Sequence, residues 1–275
     1  MIPRLTATQF ERFMTSGRTA PALCGCEDQA GTMVGEYVVK LRGSIGESGL
    51  LNELFAARLA GHFGLASPEP AVIAIDQALV DLVANTQPAQ AARIRGSVGL
   101  NFGTRALSGV STWPVDKSIP EAMWQAALDI FAFDALVQNP DRRFSNPNIF
   151  VRGESLLIFD HETAFSFLVA LSPPATPWTL ADQQYLADHV FYRKLKSKAI
   201  DLTGFTASLS GLSDALLDGI AADVPAEWNN GNVPRIEHHL RSVREHAAEF
   251  AEDVRRFLVW ESRIVLAFYA TFTMR

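Results

Sequence analysis

Cysteine is almost missing from this 275-residue chain, which has only Cys24 and Cys26, in the string Cys-Gly-Cys. Two ligands cannot close a structural zinc site, and no other Cys or His stands beside them at ligand spacing. Residues this close also make a strained disulfide. The pair therefore reads as reduced thiols of a cytoplasmic protein. A dense run of Lys and Arg is missing too, and the net charge is −6. This argues against a broad electrostatic footprint for nucleic acid, leaving at most a local basic groove, so no nucleic-acid partner is expected. No apolar stretch reaches the about 20 residues of a membrane span. Met1–Phe10 lacks the apolar core of a secretory signal, and the apolar run Ile264–Met274 has eleven residues. That run reads as a docked helix or strand, with a membrane or partner contact as the other reading. Solenoid repeats and low-complexity tracts are also missing.

What is present suits a folded protein with one large domain or two lobes. Hydrophobic residues make up 48% and charged residues 20%, which excludes disorder. The first third reads as β-rich with one helix. Tyr37–Leu41 is a short strand, and Gly43, Gly46 and Gly49 mark a connection after it. From Gly49 to Phe63, Leu51, Leu54, Phe55 and Leu59 recur at helical spacing until Pro68 and Pro70. Ala71–Ile75 and Ser97–Phe102 read as strands. The Gly-, Ser-, Thr- and Pro-rich stretch Gly103–Pro120 reads as a connection between lobes. Pro120–Gln138 is apolar nearly all round and predicts a buried helix. Pro234–Leu258 predicts one amphipathic helix packed on a single side. Its His238, His239 and His246 read as solvated, since a metal site needs ligands from several elements.

The chemistry concentrates after the buried helix. Asp141 and Asn146 stand five positions apart in Asn139-Pro-Asp-Arg-Arg-Phe-Ser-Asn-Pro-Asn. This is the spacing of a loop whose Asp takes the proton of an acceptor hydroxyl while its Asn ligates a metal on the phosphates. A predicted hairpin follows, with strands Asn148–Val151 and Ser155–Phe159, and Asp160 ends it. A carboxylate closing the apolar run Leu156–Phe159 needs a partner, and Mg²⁺ supplies one. Asn148 and Glu162 are the next candidate ligands.

The first third offers an independent check. In Val38-Val39-Lys40-Leu41, period-two alternation puts Val38 and Lys40 on one face. Lys40 would reach the phosphates of ATP and Val38 its adenine. Glu53 lies on the following helix, with Ala56, Ala57 and Ala60 beside it. Small apolar neighbours turn it toward another element, and Lys40 is the cation to pair with. A metal-hydrolase reading through Asp160-His161 lacks the accompanying His-x-His or His-Glu-x-x-His set.

Together these stretches resemble the HipA-like kinases, in particular the short bacterial chains made of the kinase core alone. The resemblance runs through Gly35–Leu41, Asn52-Glu53, Leu65–Pro70, Phe133–Arg143, Asn146-Pro-Asn148 and Phe159–Glu162, over about residues 20 to 260. It implies an α+β, bilobal protein-kinase-like fold of the HipA/phosphoinositide-kinase type. Residues 1–108 would form the β-rich N-lobe and residues 109–275 the mainly helical C-lobe. It further implies ATP and Mg²⁺, with Lys40 as the phosphate-binding lysine, Glu53 its partner, Asp141 the catalytic aspartate, and Asn146 and Asp160 the metal ligands. The expected activity is transfer of the γ-phosphoryl group to a hydroxyl, most simply as a serine/threonine protein kinase. A small-molecule or lipid kinase of the same fold, or a nucleotide-binding pseudokinase, are the alternatives. The acceptor is a protein or a small molecule, and an antitoxin-like protein partner fits the family. Two places depart from its pattern. Arg143 stands where a His is usual, and His161-Glu162 replaces the Phe-Gly of the common Asp-Phe-Gly.

Overall fold

The computed structural model describes residues 1–15, 19–171, 175–196 and 199–272, with side chains through residue 259. The N-terminal part holds β1 (Arg4–Phe13), β2 (Ala22–Glu27), β3 (Met33–Lys40), α1 (Arg42–His62), β4 (Pro70–Ile75), α2 (Gln77–Ala84), α3 (Pro88–Arg95) and β5 (Gly99–Arg105). The five strands close into a barrel in the order β1-β2-β3-β5-β4. Closure comes from β4, which runs parallel to β1 with Leu5 opposite Ile73. Alternation along β3 turns Tyr37 and Val39 into the barrel and leaves Val38 and Lys40 on its other face. The barrel interior also takes Leu5, Cys24, Cys26 and Ile73.

Cys24 and Cys26 are free, buried thiols two residues apart on β2. Burial pushes both up to about 12, so they behave as small apolar side chains.

The expectation of one helix in the first third needs correction. Two eight-residue helices, α2 and α3, cap the barrel through Leu79, Val80, Val83, Ala91 and Ile94. The Asp76 side chain accepts from the Leu79 amide at 2.8 Å, and Pro88 opens α3. Helix α1 kinks at Gly46, whose φ of 69° and ψ of 172° no β-carbon tolerates easily. Beyond the kink nearly all of Gly49–Ala60 is buried, so this helix is wrapped on all sides rather than lying on a surface.

The remaining part is mainly helical: β6 (Ser111–Thr112), α4 (Trp124–Leu136), β7 (Ile149–Arg152), β8 (Ser155–Ile158), α5 (Tyr192–Leu195), α6 (Thr203–Ser210), α7 (Asp214–Asp223), α8 (Asn232–Glu245) and α9 (Ala247–Phe272). The predicted hairpin is β7–β8, and β6 adds to it as a third strand. The stretch expected to be a plain connection is thus pinned at Ser111 and Thr112. The second core joins α1 to this part, with Leu51, Leu54 and Phe55 packed among Phe131, Phe133, Phe165 and Phe250. Each such side chain contributes about 1.5–3 kcal/mol when fully buried.

The single amphipathic helix expected over Pro234–Leu258 is two helices, broken at His246. Its histidines are not all solvated either. His239 is buried, with Nε2 at 2.8 Å from the Leu136 carbonyl and the ring stacked on Phe167. His246 stacks on Trp178 with centroids 3.6 Å apart. Among the described residues no helix is long and apolar enough to cross a membrane. The side chains of Ile264–Met274 lie outside the described residues.

Candidate active site

Lys40 ends β3 on the outward face of the barrel wall, and three carboxylates meet its ammonium. Glu53 Oε1 lies at 2.7 Å, Glu162 Oε2 at 2.9 Å, and Asp160 Oδ1 is in direct contact. Two separate pieces of chain supply them. Glu53 comes from the buried middle of α1, and Asp160 and Glu162 from the segment leaving β8. Glu53 is 2% exposed, so the alanine neighbours that suggested an inward carboxylate point the right way. Burial opposes the charge on Lys40, but the three carboxylates outweigh it and hold its pKa above the ordinary lysine value. Burial also pushes the Glu53 carboxyl up to about 7, against the pull of Lys40. One oxygen from each of Glu53, Asp160 and Glu162 lies within 4.8 Å of the others. Hard oxygen donors this close suit a divalent cation such as Mg²⁺.

Asp160 has a φ of +62° and Asn148 one of +47°. Asp and Asn are the residues that tolerate this left-handed region best, and such conformations cluster at functional sites. Asn148 faces a second centre, Asp141. The Asp141 carboxylate accepts from Asn146 Nδ2 at 2.7 Å, Asn148 Nδ2 at 3.3 Å and Arg143 at 2.8 Å. Asp141 and Asn146, picked out by spacing, are therefore in direct contact. The backbone amide of Asp141 donates to Asn139 Oδ1 at 3.2 Å. Val38 shares the strand face of Lys40, as alternation requires, and is half-buried.

The structure adds residues that the sequence reading passed over. Arg142 is fully buried, and each of its five N–H donors is used. Nε donates to Asp134 Oδ2 at 2.5 Å, and one terminal nitrogen reaches the carbonyls of Asn148 at 2.5 Å and Phe159 at 3.1 Å. The other reaches Asp134 Oδ1 at 3.3 Å and His161 Nε2 at 3.1 Å. One guanidinium thus ties α4, the Asp141 loop and the residue before Asp160 together. Burial alone would raise the Asp134 carboxyl, but Arg142 and His189 outweigh it and hold it below the usual carboxylate range. His189 Nε2 lies 3.0 Å from the same carboxylate, and Asn139 donates to it at 3.1 Å. Asp134 carried a signal: it is an acid within the apolar run Ile130–Val137 and requires a buried cation. Arg142 carried none, because it stands between the motif residue Asp141 and the exposed Arg143.

A cleft of about 800 Å³ opens beside this site. Ser44, Ser48 and Asn52 of α1 line one wall, and Pro140, Glu162 and Phe165 lie on the other.

A search of curated proteins gave no match. Among solved structures, the crystal structure of a Helicobacter pylori proinflammatory kinase, CtkA, aligns over 94% of this chain and 98% of its own. Identity is 11% and the TM-score 0.47. The profile described as HipA-like kinase matches residues 8–256. With that match spanning nearly the whole sequence, the chain belongs to the HipA-like kinase family.

Proposed function

We propose that the protein is an ATP- and Mg²⁺-dependent phosphotransferase of bilobal kinase architecture that acts on the hydroxyl of a serine or threonine side chain. Family membership supports kinase activity in general. The observation that carries the finer reading is the convergence on Lys40 of Glu53 from α1 and Asp160 from the hairpin exit. Through Arg142 this centre is joined to the loop that holds Asp141 and Asn146. Kinase chemistry needs these parts in this relation. In this reading residues 1–108 form the N-lobe and residues 109–275 the C-lobe, although α1 shares its core with the second.

Each residue has a defined task. Lys40 binds the phosphates, and Glu53 fixes its ammonium. Val38 lines the adenine site from the same strand face. Asp141 orients the acceptor hydroxyl and takes its proton, while Asn146 and Asn148 hold the carboxylate in place. Asp160 and Asn146 would hold Mg²⁺, with Glu162 as a further carboxylate. With Nδ2 turned to Asp141, Asn146 offers Oδ1 as its ligand atom. When bound, the ion neutralises charge on the transferred phosphoryl group. The acceptor would enter through the cleft beside Pro140 and Glu162.

Calorimetric titration with ATP, with and without Mg²⁺, tests the nucleotide and metal assignments. The wild type should bind ATP more tightly with Mg²⁺, and Asp160→Asn should lose that difference. A Mg²⁺ dependence unchanged in Asp160→Asn would overturn the metal assignment.

A further inference from the structure

The residue after Asp160 is a buried histidine. His161 is 1% exposed, and its ring meets Phe133 edge-on with centroids 6.2 Å apart. A phenylalanine would fill this place without bringing polar atoms into the core. An imidazole there carries two nitrogens that must each find a partner. One nitrogen has a hydrogen-bond partner and the other a longer contact with a carboxylate. Nε2 lies 3.1 Å from a terminal nitrogen of Arg142. A guanidinium only donates, so Nε2 is the acceptor and the proton of the neutral ring sits on Nδ1. Nδ1 faces Glu53 Oε2 at 3.8 Å, an electrostatic contact longer than a hydrogen bond. The backbone of His161 also favours the charged form of the Glu53 carboxyl. The neighbouring residue of α1 adds a second grip, since Asn52 Nδ2 donates to the Glu162 carbonyl at 2.9 Å.

We infer that His161 is a positioning residue for the Lys40–Glu53 pair, carrying the fixed position of Arg142 across to the Glu53 carboxylate. One oxygen of Glu53 holds Lys40 and the other faces the imidazole. The anchor is Arg142, which is fixed to α4 and to the Asp141 loop. The lysine on the barrel is thereby set in register with Asp141 through fixed polar contacts. An aromatic hydrocarbon at position 161 would pack without transmitting that register. The inference rests on the kinase reading for its kinetic consequence, but the state of the ring is testable without it.

Two experiments decide it. Long-range ¹H–¹⁵N correlation spectra of the full chain should show His161 with a protonated Nδ1 and an unprotonated Nε2. The opposite tautomer, or a doubly protonated ring, overturns the inference whether or not the protein turns over ATP. In steady-state assays His161→Phe should raise KM for Mg·ATP about 5-fold, less than the loss of a full hydrogen bond to a charged group. His161→Asn, which keeps a donor toward Glu53, should recover most of that loss. In a Glu53→Gln background His161→Phe should add less than about twofold, because the residue it acts through is already disabled. Equal effects of His161→Phe with and without Glu53 overturn the inference. If His161→Phe does not fold, the Asn variant in both backgrounds and the tautomer decide in its place. A wild type without Mg·ATP turnover counts against the kinase reading alone, and the tautomer then decides the inference.

Discussion

Arg142 shows how much of this site depends on one side chain that faces no substrate. Its five donors meet five acceptors, an arrangement that the three donors of a lysine cannot reproduce. Arg142→Lys should therefore leave buried acceptors unpaired, at about 1–3 kcal/mol each. The expected loss is about 2–5 kcal/mol by urea denaturation with an unchanged m value, and wild-type stability in this variant would contradict the network. Asp134→Ala strands the guanidinium without its counter-ion and should cost about 3–5 kcal/mol in the same assay. Val38 makes the opposite kind of prediction. Its side chain lies outside the barrel interior, so Val38→Trp should fold while weakening ATP binding. Unchanged nucleotide affinity in that folded variant would remove Val38 from the adenine site.

Elements were legible where a local pattern set them. Alternation along Tyr37–Leu41 gave β3 its faces, and apolar spacing gave α4 and the part of α1 after Gly49, whereas Arg42–Ser48, expected as a glycine-marked connection, is the first part of α1 with its kink at Gly46. The Asp141–Asn146 spacing and the hairpin to Asp160 were readable for the same reason, since loop and turn chemistry is local. Tertiary packing decided the rest. The break between α8 and α9 falls at His246, where no Pro or Gly marks it, and the stack on Trp178 goes with it. His239 looked solvated because its neighbours are charged, yet α8 turns it against Leu136 and Phe167. The role of Arg142 depends on Asp134, Asn148, Phe159 and His161 arriving together, which no spacing encodes. Barrel closure carries a prediction at this scale. A β-carbon on Gly103 of β5 would stand 2.6 Å from Ile73 Cγ1 of β4, inside the barrel core. Gly103→Ala should destabilise the protein by about 1–3 kcal/mol, because the Cγ1 methylene of a buried, packed isoleucine has little room to yield. A melting temperature equal to wild type would mean that β4 and β5 do not meet in this register.

Across the whole molecule, buried neutral histidines link stability to pH. Burial holds His239 down to about 4 and also lowers His189, which stands between Asp134 and Phe131. Both bind a proton more readily when unfolded, near the ordinary value of 6.5. The stability they permit is therefore complete above that pH and falls as the pH drops below it. Each contributes a slope of up to about 1.4 kcal/mol per pH unit. Thermal melts between pH 7.5 and 5 should show the decline, and His239→Gln should flatten it by about one proton. If a barrel lysine, a helix glutamate and a loop aspartate are assembled for phosphoryl transfer as proposed, label from γ-labelled ATP, with Mg²⁺, should pass to the protein itself or to a lysate acceptor. The wild type should label, and Asp141→Asn should lose about 10²-fold or more, the scale of removing a general base. Full labelling by Asp141→Asn would contradict the proposal.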